Sequence, residues 1–341
     1  MTVEMICADY GACGQIRVNW PAQLMQSLGV PILNTRTLYA GFPLDAVFIQ
    51  RCAEQPIFDI LRKCSSTRII LDFDDLLFKG YGEGLPSYNH AKDDLDINQI
   101  TECIKKNLDI IDKVVVSTDY LKNVFTDTFN FNRVEVIPNY LPRWMYHFDR
   151  KKNKTEDIVN PTVLYAGSST HYSDTDTGDF NKSLIEFIKN NIDRINFVIV
   201  GNIPFFFKDI AHKIINIQPI NILEYPLLIN SLNADFIIAP LKENVFNKCK
   251  SNLKYLESCA VGSVMIGSSF ADSPYNCIDE RCKIQKTMTA NQIDKMFWNL
   301  CKKDTYNEIL TEQYNYMNEN GWLENNVSKY TNLFNEKIVG I

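Results

Sequence analysis

Ala234 to Ser269, ADFIIAPLKENVFNKCKSNLKYLESCAVGSVMIGSS, is the stretch that decides how this chain is read. Its apolar run Phe236 to Ala239 is bounded by Asp235 and Pro240 and reads as a buried strand of a parallel sheet. Lys242 to Lys248 reads as a polar loop. Ser251 is the expected N-cap of a helix that puts Leu253, Leu256 and Ala260 on one face. Gly262 stands where that helix would stop, and Val264 to Ile266 form the next buried strand.

The loop and first helical turn carry Asn247, Lys248, Lys250, Ser251, Asn252 and Lys254. Unpaired N–H groups at a helix start attract an anion. Lysines beside that start strengthen the site for a phosphate or pyrophosphate. Glu257 lies two turns further in, where a carboxylate would accept two hydrogen bonds from a ribose diol. The alternative is a solvated Lys/Glu helix face.

The pattern D-x-x-I-A-P-L…N-x-F-N-x-x-K-S-x-L-K-Y-L-E-x-x-A-x-G…I-x-S-S resembles the donor-binding segment of GT-B glycosyltransferases, of the group 1 or family 4-like kind. The resemblance implies an α/β protein with two Rossmann-like domains facing a central cleft. It also implies that Asn247, Lys250, Ser251, Asn252, Leu253, Lys254 and Glu257 hold the diphosphate and ribose of a UDP- or GDP-sugar. Many such enzymes carry an E-x7-E pair. Glu257 matches the second glutamate, but Cys249 stands at the first. Lys250, Ser251 or Asn247 would then take over the sugar contact.

Composition agrees with two domains of ordinary size. The chain has 341 residues, 45% of them hydrophobic, so each half can bury a core. A net charge of −6 excludes a wholly basic surface and leaves room for a local basic cleft. The ten cysteines contain no CxxC pair, which argues against a zinc ribbon. With no visible signal peptide, membrane-spanning run or lipidation motif, the expected setting is the cytoplasm with reduced thiols.

Taken in order, Val3 to Ala8 reads as a first strand, followed by a turn at Asp9 to Gly14 and a helix to Leu28. Strand, glycine turn and helix is a phosphate-loop arrangement, though its spacing is neither Walker A nor G-x-G-x-x-G. By resemblance, Gly11 and Gly14 face the donor phosphates. Arg17, in G-C-G-Q-I-R-V-N-W-P, is then an acceptor or phosphate contact. Arg68 to Phe73 is a strand ending in Asp72-Phe73-Asp74-Asp75. Carboxylates at the carboxyl end of a parallel strand face the ligand crevice. Three readings stay open: a divalent-cation site, acceptor recognition with base catalysis, and a helix-capping turn. The resemblance favours Asp74 and Asp75 acting on the acceptor, with no metal. Lys79 to Asp96 is a long loop whose Tyr81, Tyr88 and His90 are candidate acceptor contacts.

Arg150 to Asn160 is charged and aperiodic, and reads as a linker. It separates an acceptor-side domain over 1–149 from a nucleotide-sugar domain over 161–320, with 321–341 returning to the first domain. Thr162 to Ala166 opens the second α/β series, and Gly167-Ser168-Ser169-Thr170-His171 follows. Such a small-residue loop can cradle a phosphate. By resemblance Gly167, Ser168 and Thr170 contact the donor and His171 the acceptor. Ile203 to Phe207, IPFFF, is either core or the wall of a base or acceptor pocket.

The implied activity is transfer of a sugar from a nucleotide diphosphate sugar to a hydroxyl, with retention of configuration. Lys250 and Arg17 would stabilise the departing diphosphate. A glycan or glycoconjugate is the first acceptor class. The second is a hydroxymethylated base in DNA, which needs a basic groove; Lys105, Lys106, Arg143, Arg150, Lys151 and Lys152 are its candidates. A non-catalytic nucleotide- or sugar-binding module on the same fold is the third reading.

Overall fold

The computed structural model describes residues 2–39, 43–51, 54–64, 66–78, 97–146, 148, 153–167 and 177–335. Two six-stranded sheets, every pairing parallel, form two lobes. The first contains β1 (Val3–Ile6), β2 (Ile32–Thr35), β3 (Ala46–Gln50), β4 (Arg68–Phe73), β5 (Lys113–Val116) and β6 (Val134–Val136). Their order is β2-β1-β3-β4-β5-β6. The second contains β7 (Thr162–Ala166), β8 (Asn196–Val200), β9 (Ile215–Ile217), β10 (Phe236–Ala239), β11 (Val264–Ser269) and β12 (Lys283–Gln285). Their order is β12-β11-β10-β7-β8-β9.

Every residue of β3 and β10 is buried, which is why these strands read as unbroken apolar runs and not as alternating ones. Strand order reverses direction between β1 and β3 in the first sheet and between β7 and β10 in the second. In open α/β sheets ligands gather outside the carboxyl ends at those points. The residues after β1, β3, β7 and β10 are therefore the ones to inspect.

Two chain segments cross between the lobes side by side. Leu141 and Trp322 form a parallel bridge; Leu141 N–H donates to the Gly321 carbonyl at 3.0 Å, and Leu323 N–H to the Leu141 carbonyl at 2.9 Å. The Leu323–Asn335 helix then packs on the first lobe. Phe334 meets Phe48 of β3 edge to face at 6.2 Å, and the Arg68 guanidinium donates to the Leu333 and Phe334 carbonyls. Residues 154–158 are strapped to the second lobe: Lys154 pairs with Asp235 at 2.6 Å, and Ile158 N–H donates to the Cys301 carbonyl at 2.8 Å.

Several local expectations need correcting. β2 and β12 were not anticipated. The stretch read as a polar loop contains a short helix, Val245–Cys249, because the Asn244 side chain caps the Asn247 N–H at 2.7 Å. The next helix, Leu253–Val261, has Asn252 at its N-cap, not Ser251. Phe206 and Phe207 sit in a 3₁₀ helix and pack on Phe180; Phe207 is core, and Phe205 and Phe206 are partly exposed. Among the described residues no helix is long and apolar enough to cross a membrane.

Candidate functional site

The floor of the site begins after β1. The Gly11 N–H donates to the Asp9 carboxylate at 2.6 Å, folding the turn back on itself. Gly14 is buried against that turn; a Cβ there would lie 1.8 Å from the Asp9 carbonyl oxygen and 2.6 Å from the Cys7 Sγ. Gly14→Ala must push the helix start off the turn. We expect a loss of about 1–3 kcal/mol in chemical denaturation; an unchanged midpoint would contradict the packing.

From this turn the helix continues through a π-helical turn, Gln15–Asn19, which carries Arg17. The structure corrects the reading of Arg17 as a ligand contact. It is fully buried, with Nε 3.1 Å from one Asp72 oxygen and 3.2 Å from the other. Nη1 donates to the Ile137 carbonyl and, at 3.0 Å, to Asn139 Oδ1. Burial opposes its charge, but Asp72 more than offsets this and holds the guanidinium protonated. Arg17 therefore lies beneath the floor as a positioning residue: it orients Asn139, whose Nδ2 donates to Ser251 Oγ across the lobes at 2.8 Å.

Asp74 and Asp75 share one arginine. Arg51 Nε lies 2.6 Å from Asp74, and Nη2 lies 3.6 Å from Asp75 and 2.9 Å from the Cys13 Sγ. Arg51 follows β3 with φ +59°, a strained conformation for a non-glycine residue and one that gathers at functional sites. Burial pushes the Asp74 carboxyl up, but Arg51 outweighs it and holds Asp74 below the usual carboxylate range. Asp74 is consequently a weak base. Asp75 is partly exposed and faces the second lobe. With the aspartates turned to arginines, no three His, Cys, Asp or Glu side chains among the described residues converge on a metal position.

Three successive residues of the second lobe meet this floor. Thr118 Oγ1 donates to the Cys249 carbonyl at 3.1 Å, Lys250 Nζ lies 3.7 Å from Asp75 Oδ1, and Ser251 Oγ receives the Asn139 amide. The Lys250 to Asp75 distance is an ion contact, too long for a hydrogen bond, so the ammonium keeps its donors. The ammonium sits over the Phe246 ring, with Nζ 4.3 Å from the centroid. Cys249 is fully buried, and burial pushes its thiol up to about 12. It does not replace the missing carboxylate.

Along the following helix, Lys254 Nζ donates to Glu257 Oε2 at 2.9 Å and to the Tyr225 hydroxyl at 3.0 Å. Tyr225 also donates to Oε2, at 3.3 Å. Both contacts fall on one Glu257 oxygen, which orients the carboxylate. Burial would lower the Lys254 pKa, yet Glu257 reverses that and keeps the ammonium charged. Asn247 is buried and spends its amide on Asp179 and the Lys242 carbonyl, both at 2.8 Å; it braces the loop. Asn252 donates to the Tyr316 hydroxyl at 3.0 Å, and Leu253 opens the helix. Gly167 ends β7, where a Cβ would come within 2.3 Å of the Tyr165 hydroxyl.

Ser168, Thr170 and His171, and likewise Tyr81, Tyr88 and His90, lie outside the described residues. Of the residues assigned to a basic groove, Lys105 is paired with Glu102 at 2.9 Å and Arg143 stacks on Trp322 at 5.1 Å. The sequence reading missed Arg51; a charged residue directly after the buried strand β3 was the signal available.

No family model matches the chain. No curated protein matches it in sequence. Solved structures do. A glycosyltransferase from Rickettsia africae superposes with a TM-score of 0.62 at 13% identity, covering 98% of this chain and 97% of that one. HepE of Anabaena, in complex with UDP and glucose, gives 0.62 at 8% identity over 99% and 100%. WaaG, a glycosyltransferase of lipopolysaccharide biosynthesis, gives 0.57 at 11% identity over 99% and 100%. Two parallel-sheet lobes, a shared interlobe floor and end-to-end superposition on these structures give the chain the GT-B fold of glycosyltransferases.

Proposed function

We propose that the protein transfers a sugar from a nucleotide diphosphate sugar to a hydroxyl acceptor. The carrying observation is the meeting of Lys250 with the floor of the first lobe: its ammonium lies 3.7 Å from Asp75 and donates no hydrogen bond among the described residues. Breaking the glycosidic bond to the diphosphate releases negative charge. Lys250 and the start of the Leu253–Val261 helix are placed to stabilise it. The turns that Gly11, Gly14 and Gly167 close by packing against Asp9, Cys7 and Tyr165 are proposed to line the phosphates, and Glu257 takes the ribose diol. HepE holds UDP and, in another complex, UDP-glucose, which supports a UDP-linked donor here.

Asp74 is held by Arg51 and Asp75 contacts Lys250, and retention through the leaving group is the outcome proposed. A glycan or glycoconjugate is the favoured acceptor. The test is UDP release from UDP-glucose, with and without a panel of glycan acceptors, alongside GDP-mannose. Release that rises with acceptor supports the reading; UDP binding without turnover would leave a binding module.

Glu257→Gln keeps the side-chain shape and removes the charge. Hydrogen bonds to charged groups contribute about 1.5–3 kcal/mol. Calorimetry should therefore show UDP affinity falling by roughly 10–100-fold. Equal affinity would move the ribose elsewhere.

A further inference from the structure

A second recess lies beside Lys250. A cavity of about 310 Å³ opens where the interlobe crossing at 138–140, the start of the Asp119–Phe129 helix, Lys250 to Asn252 and the C-terminal helices meet. Gly11, Gly14, Gly167, Lys254 and Glu257 are not among its walls. It borders the nucleotide grip and shares Lys250, Ser251 and Asn252 with it.

Its charged walls are Lys250, Lys329 and Asp119, and Lys250 already has the Asp75 carboxylate at 3.7 Å. Lys329 faces no carboxylate among the described residues. Its ammonium donates to the Tyr140 hydroxyl at 2.5 Å and sits 5.1 Å over that ring. Burial pushes the Tyr140 hydroxyl up to about 12, so it remains a neutral partner and not a counterion. The rest of the lining mixes amides and hydroxyls with the apolar Val136, Pro138, Leu256 and Pro274. Asn320 and Asn326 spend their amide nitrogens on the Tyr316 and Trp322 carbonyls, at 3.2 and 2.9 Å. Their amide oxygens stay available to accept from hydroxyls.

We propose that this recess binds a hydroxylated small anion, a sugar phosphate or sugar acid, with Lys329 as its charge contact. A lysine lacking a countercharge supplies a charge-assisted bond to phosphate or carboxylate. The amide oxygens of Asn320 and Asn326 receive the ligand's hydroxyls. The volume is at the lower end for small-molecule sites, which suits one sugar ring. Two sources share this chemistry: the acceptor of the proposed transfer, on which that assignment rests, and an effector bound beside it.

The experiment titrates the full chain with glucose 6-phosphate, glucuronate, inorganic phosphate and glucose, with UDP as a separate ligand. Glucose 6-phosphate or glucuronate should bind at least tenfold more tightly than glucose. Lys329→Gln should weaken that binding at least tenfold and leave UDP affinity within twofold, while Lys329→Arg keeps most of it. Adding UDP-glucose separates the sources: an acceptor gains a hexose by mass spectrometry, whereas an effector shifts kcat and is recovered unchanged. Absence of anionic-sugar binding in protein that binds UDP overturns the proposal, as does equal affinity in Lys329→Gln. Protein that binds glucose 6-phosphate through Lys329 but no UDP keeps this site and removes the transferase reading.

Discussion

Replacing Lys250 with methionine is expected to lower kcat for sugar release from UDP-glucose by about 10²–10³, the loss typical of removing one oxyanion-stabilising donor. Stability should hardly change. The side chain is 21% exposed and its one ionic partner, Asp75, stands 3.7 Å away. Pairs of that kind contribute about 0–1 kcal/mol. Methionine keeps the length of the side chain but gives up the cation–π contact with Phe246, about 0.5–1 kcal/mol at such a site. The split between kcat and stability is what makes the test informative. Lys250→Arg should not restore full activity, because a planar fork presents its donors differently from an ammonium. Initial rates and a denaturant melt on the same preparations check both halves. A kcat within threefold of the parent would remove Lys250 from the chemistry.

Arg17→Met is expected to have the opposite profile, with a large loss of stability. Arg17 and Asp72 have fully buried side chains in contact with each other. Removing one member of such a pair leaves an uncompensated charge and costs about 3–5 kcal/mol. The double variant Arg17→Met with Asp72→Leu should recover most of that loss, since apolar replacements of both partners leave nothing unpaired. Denaturant unfolding of the parent, both single variants and the double variant gives the coupling directly. In the double variant Asn139 loses the Nη1 donor that orients it. Its link to Ser251 should loosen, raising the KM for donor although Arg17 touches no ligand. A single variant as stable as the parent would contradict the buried-pair account.

The two lobes were legible where burial alone shapes a strand. FIIA at 236–239 and RIILDF at 68–73 announce themselves as apolar runs closed by polar punctuation. β2 did not, because Asn34 and Thr35 are partly exposed and break the run; β12 has three residues and no periodicity to detect. Lys250 drew notice in the sequence as a cation just ahead of a helix start, and the structure places it between the Val245–Cys249 and Leu253–Val261 helices. Arg17 was misread because its partner Asp72 is 55 positions away, and no local pattern distinguishes a buried guanidinium from a ligand contact. Arg51 was missed for a related reason: its role depends on a left-handed backbone and on carboxylates supplied by another strand. Asn247 and Ser251 looked alike in sequence, yet one is consumed inside its loop and the other reaches across to the first lobe.

The paired crossing at Leu141 and Trp322 has a mechanical consequence. A single strand between two bodies swivels freely, whereas two bonded strands form a ribbon that resists sliding and yields to torsion. Any relative motion of the two lobes is therefore expected as a twist about this ribbon, smallest beside Tyr140.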